Sequence, residues 1–252
     1  MSRLYETILY AVDERVATIT LNRPEKRNAY VAQMGEDIVA AFRAAREDES
    51  VRAVILTGAG QGFCAGVDLD ALKAMQAGMA AGSGPKLGEE PFVRTFPLEL
   101  LAYPKPVIAA VNGAAIGVGV TMILPCDIRI ASDRAKFGVP FTKLGILPGL
   151  GSTHLLPRIV GLGRAQELVL TSRAIEAPEA LAIGLVSRVV PGEALLAAAR
   201  EIAALVAACD PDALAVAKGA LHAGADLAMA DAMENERAAN VELRERKAKR
   251  AG

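Results

Sequence analysis

The chain has 252 residues, with 28 lysines and arginines against 29 aspartates and glutamates, a balance that favours neither nucleic acid nor an anionic membrane as partner. Its three cysteines, at positions 64, 126 and 209, lack metal-ligand spacing and read as reduced thiols, so no metal is expected. Met1 to Glu6 lacks the apolar core of a signal peptide and no apolar run reaches spanning length, so a cytoplasmic protein with no transmembrane segment is expected.

In chain order, Ile8–Val12 and Val16–Leu21 are predicted as two strands joined by the turn Asp13-Glu14-Arg15. The loop Asn22-Arg23-Pro24-Glu25-Lys26-Arg27-Asn28 is basic, which fits either a solvated turn or a phosphate contact. A helix is predicted from about Val31 to Asp48, with Met34, Ile38, Ala41, Phe42 and Ala45 on one face. The strand Ala53–Thr57 follows, then Gly58-Ala59-Gly60-Gln61-Gly62 as a loop.

Helical character resumes at Asp68 and fades into Ala77–Pro85, a glycine-rich, aperiodic segment expected to be a mobile loop. A short helix is predicted over Phe92–Leu101, ending at Pro104. Val107–Val111 is an apolar run that fits one buried strand, broken by Asn112-Gly113. Gly117-Val118-Gly119 then leads into Val120–Leu124, which has helical character.

A strand at Asp127–Ala131, a short extended piece at Lys136–Val139 and a final strand at Ser187–Val190, with helices near Ser152–Val160 and Arg164–Thr171, complete an α/β core of residues 1–191. Residues 192–252 form a helical region, with helices predicted at Glu193–Ala208, Asp212–Leu221 and Leu227 to about Arg246. Pro191-Gly192 and Asp210-Pro211 punctuate it.

Two stretches share one design. Val54–Gly58 with Phe63–Leu69, and Val107–Val111 with Gly117–Leu124, each run strand, glycine turn, helix start. Such a corner leaves backbone N–H groups unpaired at the positive end of a helix, which suits an anion or a developing oxyanion.

Four pieces in order carry a resemblance: Leu21–Ala29, Phe63–Leu69, Lys105–Gly113, and Phe137-Gly138 with Leu144–Gly151. Through them the chain resembles the crotonase superfamily, also called the enoyl-CoA hydratase/isomerase family. The resemblance implies a spiral of β-β-α turns and a C-terminal helical region that builds homotrimers, often paired into a dimer of trimers. It also implies an acyl-CoA thioester as substrate or ligand, with no separate cofactor.

By motif position, the backbone amides of Val67 and Val118 would form the oxyanion hole. Val118 stands where relatives often carry glycine. Lys26, Ala65, Asp68, Leu69 and Asp70 would lie at the CoA end, although Asp68 also fits a helix N-cap. The family's hydratases use two glutamates, and their positions here hold Thr121 and Phe141. Adding water across a double bond needs a base and an acid, so simple hydratase activity is not expected.

Glu89, Glu90, Glu99 and Asp70 remain candidates for a relocated carboxylate. Cys64, His154, His222 and Lys143 fit packing or surface roles. Two functions stay open. One is an enolate-stabilising CoA-thioester lyase or isomerase. The other is a non-catalytic acyl-CoA binder that presents a lipid thioester to a partner, for which a more apolar site is suited.

Overall fold

The computed structural model describes residues 5–76 and 87–251. The expected loop at 77–85 lies outside the described residues. The chain starts with strands β1 (Ile8–Asp13) and β2 (Val16–Leu21), then helix α1 (Ala32–Glu47). Three units follow, each a long strand, a short strand and a helix. They are β3 (Ala53–Gly58), β4 (Gly62–Cys64) and α2 (Leu69–Gln76); β5 (Val107–Val111), β6 (Ala114–Ile116) and α5 (Val118–Thr121); and β7 (Ile128–Ser132), β8 (Lys136–Gly138) and α6 (Ser152–Val160). Helices α3 (Pro91–Arg94) and α4 (Phe96–Leu101) stand between the first two units. The third continues through α7 (Leu162–Thr171), β9 (Ala174–Glu176), α8 (Ala177–Ala182) and β10 (Arg188–Val190). Helices α9 (Leu195–Ala207), α10 (Pro211–Gly224) and α11 (Met229–Ala251) close the chain.

The long strands build a six-stranded sheet in the order β1-β2-β3-β5-β7-β10, antiparallel only between β1 and β2. The short strands build a second sheet, β4-β6-β8-β9, antiparallel only between β8 and β9. This is the expected α/β spiral of β-β-α turns.

The centre of the large sheet, β3 and β5, is apolar on both faces, because side chains alternate and both faces are covered there. Val54, Leu56, Val107, Ala109 and Val111 join the main core with the α1 residues Met34, Ile38 and Phe42. Ile55, Ile108, Ala110 and Ile130 face the other way and meet Leu195, Ala199 and Ala203 of α9. The four-residue spacing of those three puts them in one stripe, and the alanines let the helix approach closely. The helix immediately after residue 191 is therefore part of the sheet's cover.

Two predicted helices differ in the structure. The Phe92–Leu101 run is split at Thr95, because Pro97 has no N–H to continue a helix from α3. The Val120–Leu124 helix is instead α5, starting two residues earlier and stopping at Thr121. Pro125 lies four residues beyond Thr121, where its ring would clash with that carbonyl. Strands β4, β6 and β9, of three residues each, and the six-residue helix α8 were not anticipated, since such short elements display no clear period.

Candidate functional site

The site is built where β4 and β6 end side by side. Their parallel pairing sends the chain out of both strands at the same edge, into the turns at Gly66 and Gly117. Gly66 has φ +100°, and a Cβ there would also press on Ile116 O at 3.3 Å. Gly117 has φ +55°, and a Cβ on it would lie 3.9 Å from Gly66 Cα. Only glycine gives both turns this conformation and this approach. Gly119 is fixed for a different reason: its Cβ would sit 2.6 Å from Cys64 O, so α5 lies directly on β4.

The two residues after these glycines, Val67 and Val118, carry the amides of interest. Around Val67 the neighbouring bonds are occupied: Tyr30 N donates to Gly66 O at 2.7 Å and Asp68 N to Tyr30 O at 2.8 Å, in a parallel bridge between Tyr30 and Val67. Gly117 N donates to Gly138 O at 2.8 Å, while Val118 opens α5 and has no helical partner for its N–H. Among the described residues neither the Val67 nor the Val118 amide has an acceptor.

Around this corner the corners of the spiral are clamped by side chains. Asn28 is fully buried and donates to Ala59 O at 2.9 Å and Gly62 O at 2.8 Å, while accepting from Arg23 N at 2.8 Å. Asn112 accepts from Gly58 N at 3.2 Å and donates to Gly60 O at 3.0 Å. The basic loop is thus anchored to the first turn, and Ala65 N donates to Arg27 O at 3.0 Å. Lys26, Ala65, Leu69 and Asp70 lie exposed along this edge.

Asp68 takes the capping position. Its Oδ1 accepts from Asp70 N at 3.0 Å and Ala71 N at 3.5 Å, and its Oδ2 meets Arg23 Nη2 at 3.2 Å. Burial opposes its charge, but the Asp70 amide, the Arg23 guanidinium and the Ala71 amide together hold the carboxyl below its ordinary range.

The second pair of positions is dry. Thr121 is 1% exposed and its hydroxyl donates to Val118 O at 3.4 Å, so it is spent on its own helix. Phe141 is buried, and its ring tip lies 3.8 Å from where a Gly117 Cβ would be. Cys64 packs beneath, fully buried, and burial pushes its thiol up to about 12. A thiol held neutral in this way is a packing group.

The remaining candidates separate clearly. Glu89, Lys143 and His154 are exposed. Glu99 pairs with Arg43 at 3.4 Å on the outside of α4, and His222 lies 3.8 Å from Asp127 on α10. Glu90 differs: it is 3% exposed, and Oε1 accepts from Tyr30 Oη at 2.5 Å. Tyr30 was not anticipated from sequence. Its one signal was its place between the basic loop and α1.

Comparison with known proteins gives a consistent likeness. Residues 11–252 match the family model described as enoyl-CoA hydratase/isomerase. A short-chain-enoyl-CoA hydratase of Clostridium acetobutylicum is 42% identical over 232 residues, covering 91% of this chain and 87% of that one. The 1,2-epoxyphenylacetyl-CoA isomerase of Escherichia coli is 40% identical over 200 residues, 79% of this chain and 76% of that one. A crystal structure of an enoyl-CoA hydratase from Bacillus anthracis has a TM-score of 0.84 at 36% identity, covering 94% of this chain and 90% of that one.

Proposed function

The chain belongs to the enoyl-CoA hydratase/isomerase family, the crotonase superfamily, and from that premise we propose that its two glycine turns hold the thioester oxygen of an acyl-CoA as an enolate. The observation that carries this reading is the close approach of the Gly66 and Gly117 turns, each followed by an amide without an acceptor among the described residues. Removing a proton beside a thioester carbonyl moves charge onto its oxygen. Two N–H donors fixed in a dry site stabilise that charge, each by about 3 kcal/mol. The exposed edge with Lys26, Ala65, Leu69 and Asp70 receives the CoA end, while Asp68 caps α2 and fixes the Val67 turn.

Standard hydration is not part of this proposal. Thr121 has its hydroxyl bound to Val118 O, and the Phe141 ring lies over Gly117, so neither moves a proton. A missing general acid or base costs on the order of 100-fold or more each. Chemistry that builds negative charge on the thioester oxygen, as in double-bond migration, decarboxylation or thioester cleavage, is what we assign. A second reading, favoured by the buried Phe141 ring, is an acyl-CoA binder that performs no chemistry and presents the thioester to a partner.

We also infer a homotrimer or a dimer of trimers. Leu205, Leu221 and Met229 on the C-terminal helices are exposed in the single chain and are apolar surface that an assembly would cover.

Acetoacetyl-CoA tests the oxyanion reading, because its bound enolate absorbs in the near ultraviolet. A new enolate band on titration is the expected result. Absence of any band, with acetoacetyl-CoA in excess, would sink the proposal.

A further inference from the structure

A cavity of about 510 Å³ opens between the end of α1, the run Pro104-Lys105-Pro106 and helices α10 and α11. Five cations, Arg46, Arg52, Lys105, Arg246 and Arg250, border it against two carboxylates, Glu49 and Asp212. It lies at the far end of the long strands from the glycine turns. Arg52 and Pro106 line it immediately before β3 and β5, whereas the chain leaves those strands for the turns after Gly58 and Val111. A strand of six residues sets its two ends about 16 Å apart.

Three of the cations have local partners. Lys105 Nζ donates to Ala45 O at 2.6 Å and Asp48 O at 2.7 Å, closing carbonyls at the end of α1. Arg250 pairs with Asp212 at 3.1 Å, and Arg246 with Glu242 at 2.7 Å on its own helix. Arg46 and Arg52 differ: among the described residues no carboxylate pairs with either guanidinium. Arg46 lies over the Tyr103 ring, 5.2 Å from its centroid, a contact that uses no N–H. Water can solvate these two groups but brings no charge to balance them. The crowding is felt at Lys105. Burial first, and the Arg52 guanidinium with it, hold the ammonium below its ordinary value against the pull of Asp48 and Glu49.

The wall around these charges is stiff. Pro104, Pro106 and Pro211 line it, each with φ locked by its ring, and Pro211 opens α10 under the Asp210 cap. Leu214 and Ala215 give it an apolar side. A preformed cavity of this size, part apolar and part cationic, suits an organic molecule rather than a bare ion. Guanidinium groups match phosphate oxygens two at a time, which a carboxylate of the chain does not supply here.

We propose that this cavity is a second ligand site, which takes a diphosphate-bearing organic anion of nucleotide size. Arg46 and Arg52 hold the phosphates, and the Leu214 side receives the organic part. Nothing in this assignment depends on the acyl-CoA reading, because Lys26 and the glycine turns take no part in it. The cavity joins the start of β5 to Arg250 near the end of α11, so a bound anion ties that helix to the sheet and stabilises the folded chain.

Calorimetry on the full-length protein tests this with ADP and inorganic pyrophosphate as probes, in buffer free of magnesium and phosphate. Wild type is compared with Arg46→Gln, Arg52→Gln and Lys26→Gln. The expected result is binding of both probes by the wild type and at least about a 10-fold loss in either arginine variant. Lys26→Gln should bind pyrophosphate as the wild type does. Pyrophosphate should also raise the thermal midpoint of the wild type, and raise it less in the arginine variants. Arg46 is exposed, so Arg46→Gln decides the matter if Arg52→Gln does not fold. Arginine variants that bind pyrophosphate as tightly as the wild type would overturn the site, as would a loss confined to Lys26→Gln. Pyrophosphate binding without ADP binding would overturn the nucleotide-sized ligand. Absence of binding of either probe at millimolar concentration would overturn the proposal as a whole.

Discussion

At the scale of single residues, the site depends on positions where a methyl group has no room. A Gly119→Ala side chain would lie 2.6 Å from the backbone oxygen of Cys64, which cannot swing away as a flexible side chain would. Overpacking of this kind costs about 1–3 kcal/mol. Chemical denaturation of the variant should show that loss, together with weaker acyl-CoA binding, because α5 carries Val118. Asp68 offers a second case. Its folded-state pKa is depressed, so its contribution is complete above the unfolded value of about 3.9 and disappears as pH falls through the lower folded value. Asp68→Asn should therefore lose about 1 kcal/mol at neutral pH and show a flatter acid limb in stability against pH. An acid limb identical to that of the wild type would contradict the assignment. These residues were legible in the sequence because glycine and an N-cap aspartate announce their backbone roles locally. The Tyr30–Glu90 contact was not. Its members are 60 positions apart, and nothing in the periodicity of either segment says that they meet.

At the scale of elements, the central strands β3 and β5 of the large sheet could be read because both their faces are covered, which makes them near-continuous apolar runs. In the second sheet β8 could be read, but β4, β6 and β9 could not, and with them went the pairing of β4 and β6 that sets the two turns side by side. Helix α9 was legible as a helix, but its partner was not: composition groups it with the C-terminal helices, whereas Leu195, Ala199 and Ala203 lie on the sheet. Leu195 is 1% exposed against Ile108 and its neighbours. Leu195→Ala should cost about 2–5 kcal/mol by urea unfolding, with an unchanged m value. A loss below 0.5 kcal/mol would mean that α9 does not hold the sheet's outer face.

At the scale of the whole molecule, the repeated β-β-α unit explains how two turns about fifty positions apart become one site. Each unit places its glycine corner at the same edge of the spiral, and Asn28 and Asn112 tie successive corners together. The family and its spiral were legible from four motifs in order, because those motifs are the corners themselves. The assembly inferred from the exposed C-terminal leucines should give light-scattering masses of three or six times 26.3 kDa. A monomer at micromolar concentration would contradict it.

The most direct measurement is hydration of crotonyl-CoA by a preparation already shown by calorimetry to bind acyl-CoA. Binding with hydration absent, or slower than in family hydratases by the 100-fold or more that each missing carboxylate costs, is the expected result. Brisk hydration would contradict the central claim, because a carboxylate elsewhere would then be doing the work of the positions held by Thr121 and Phe141.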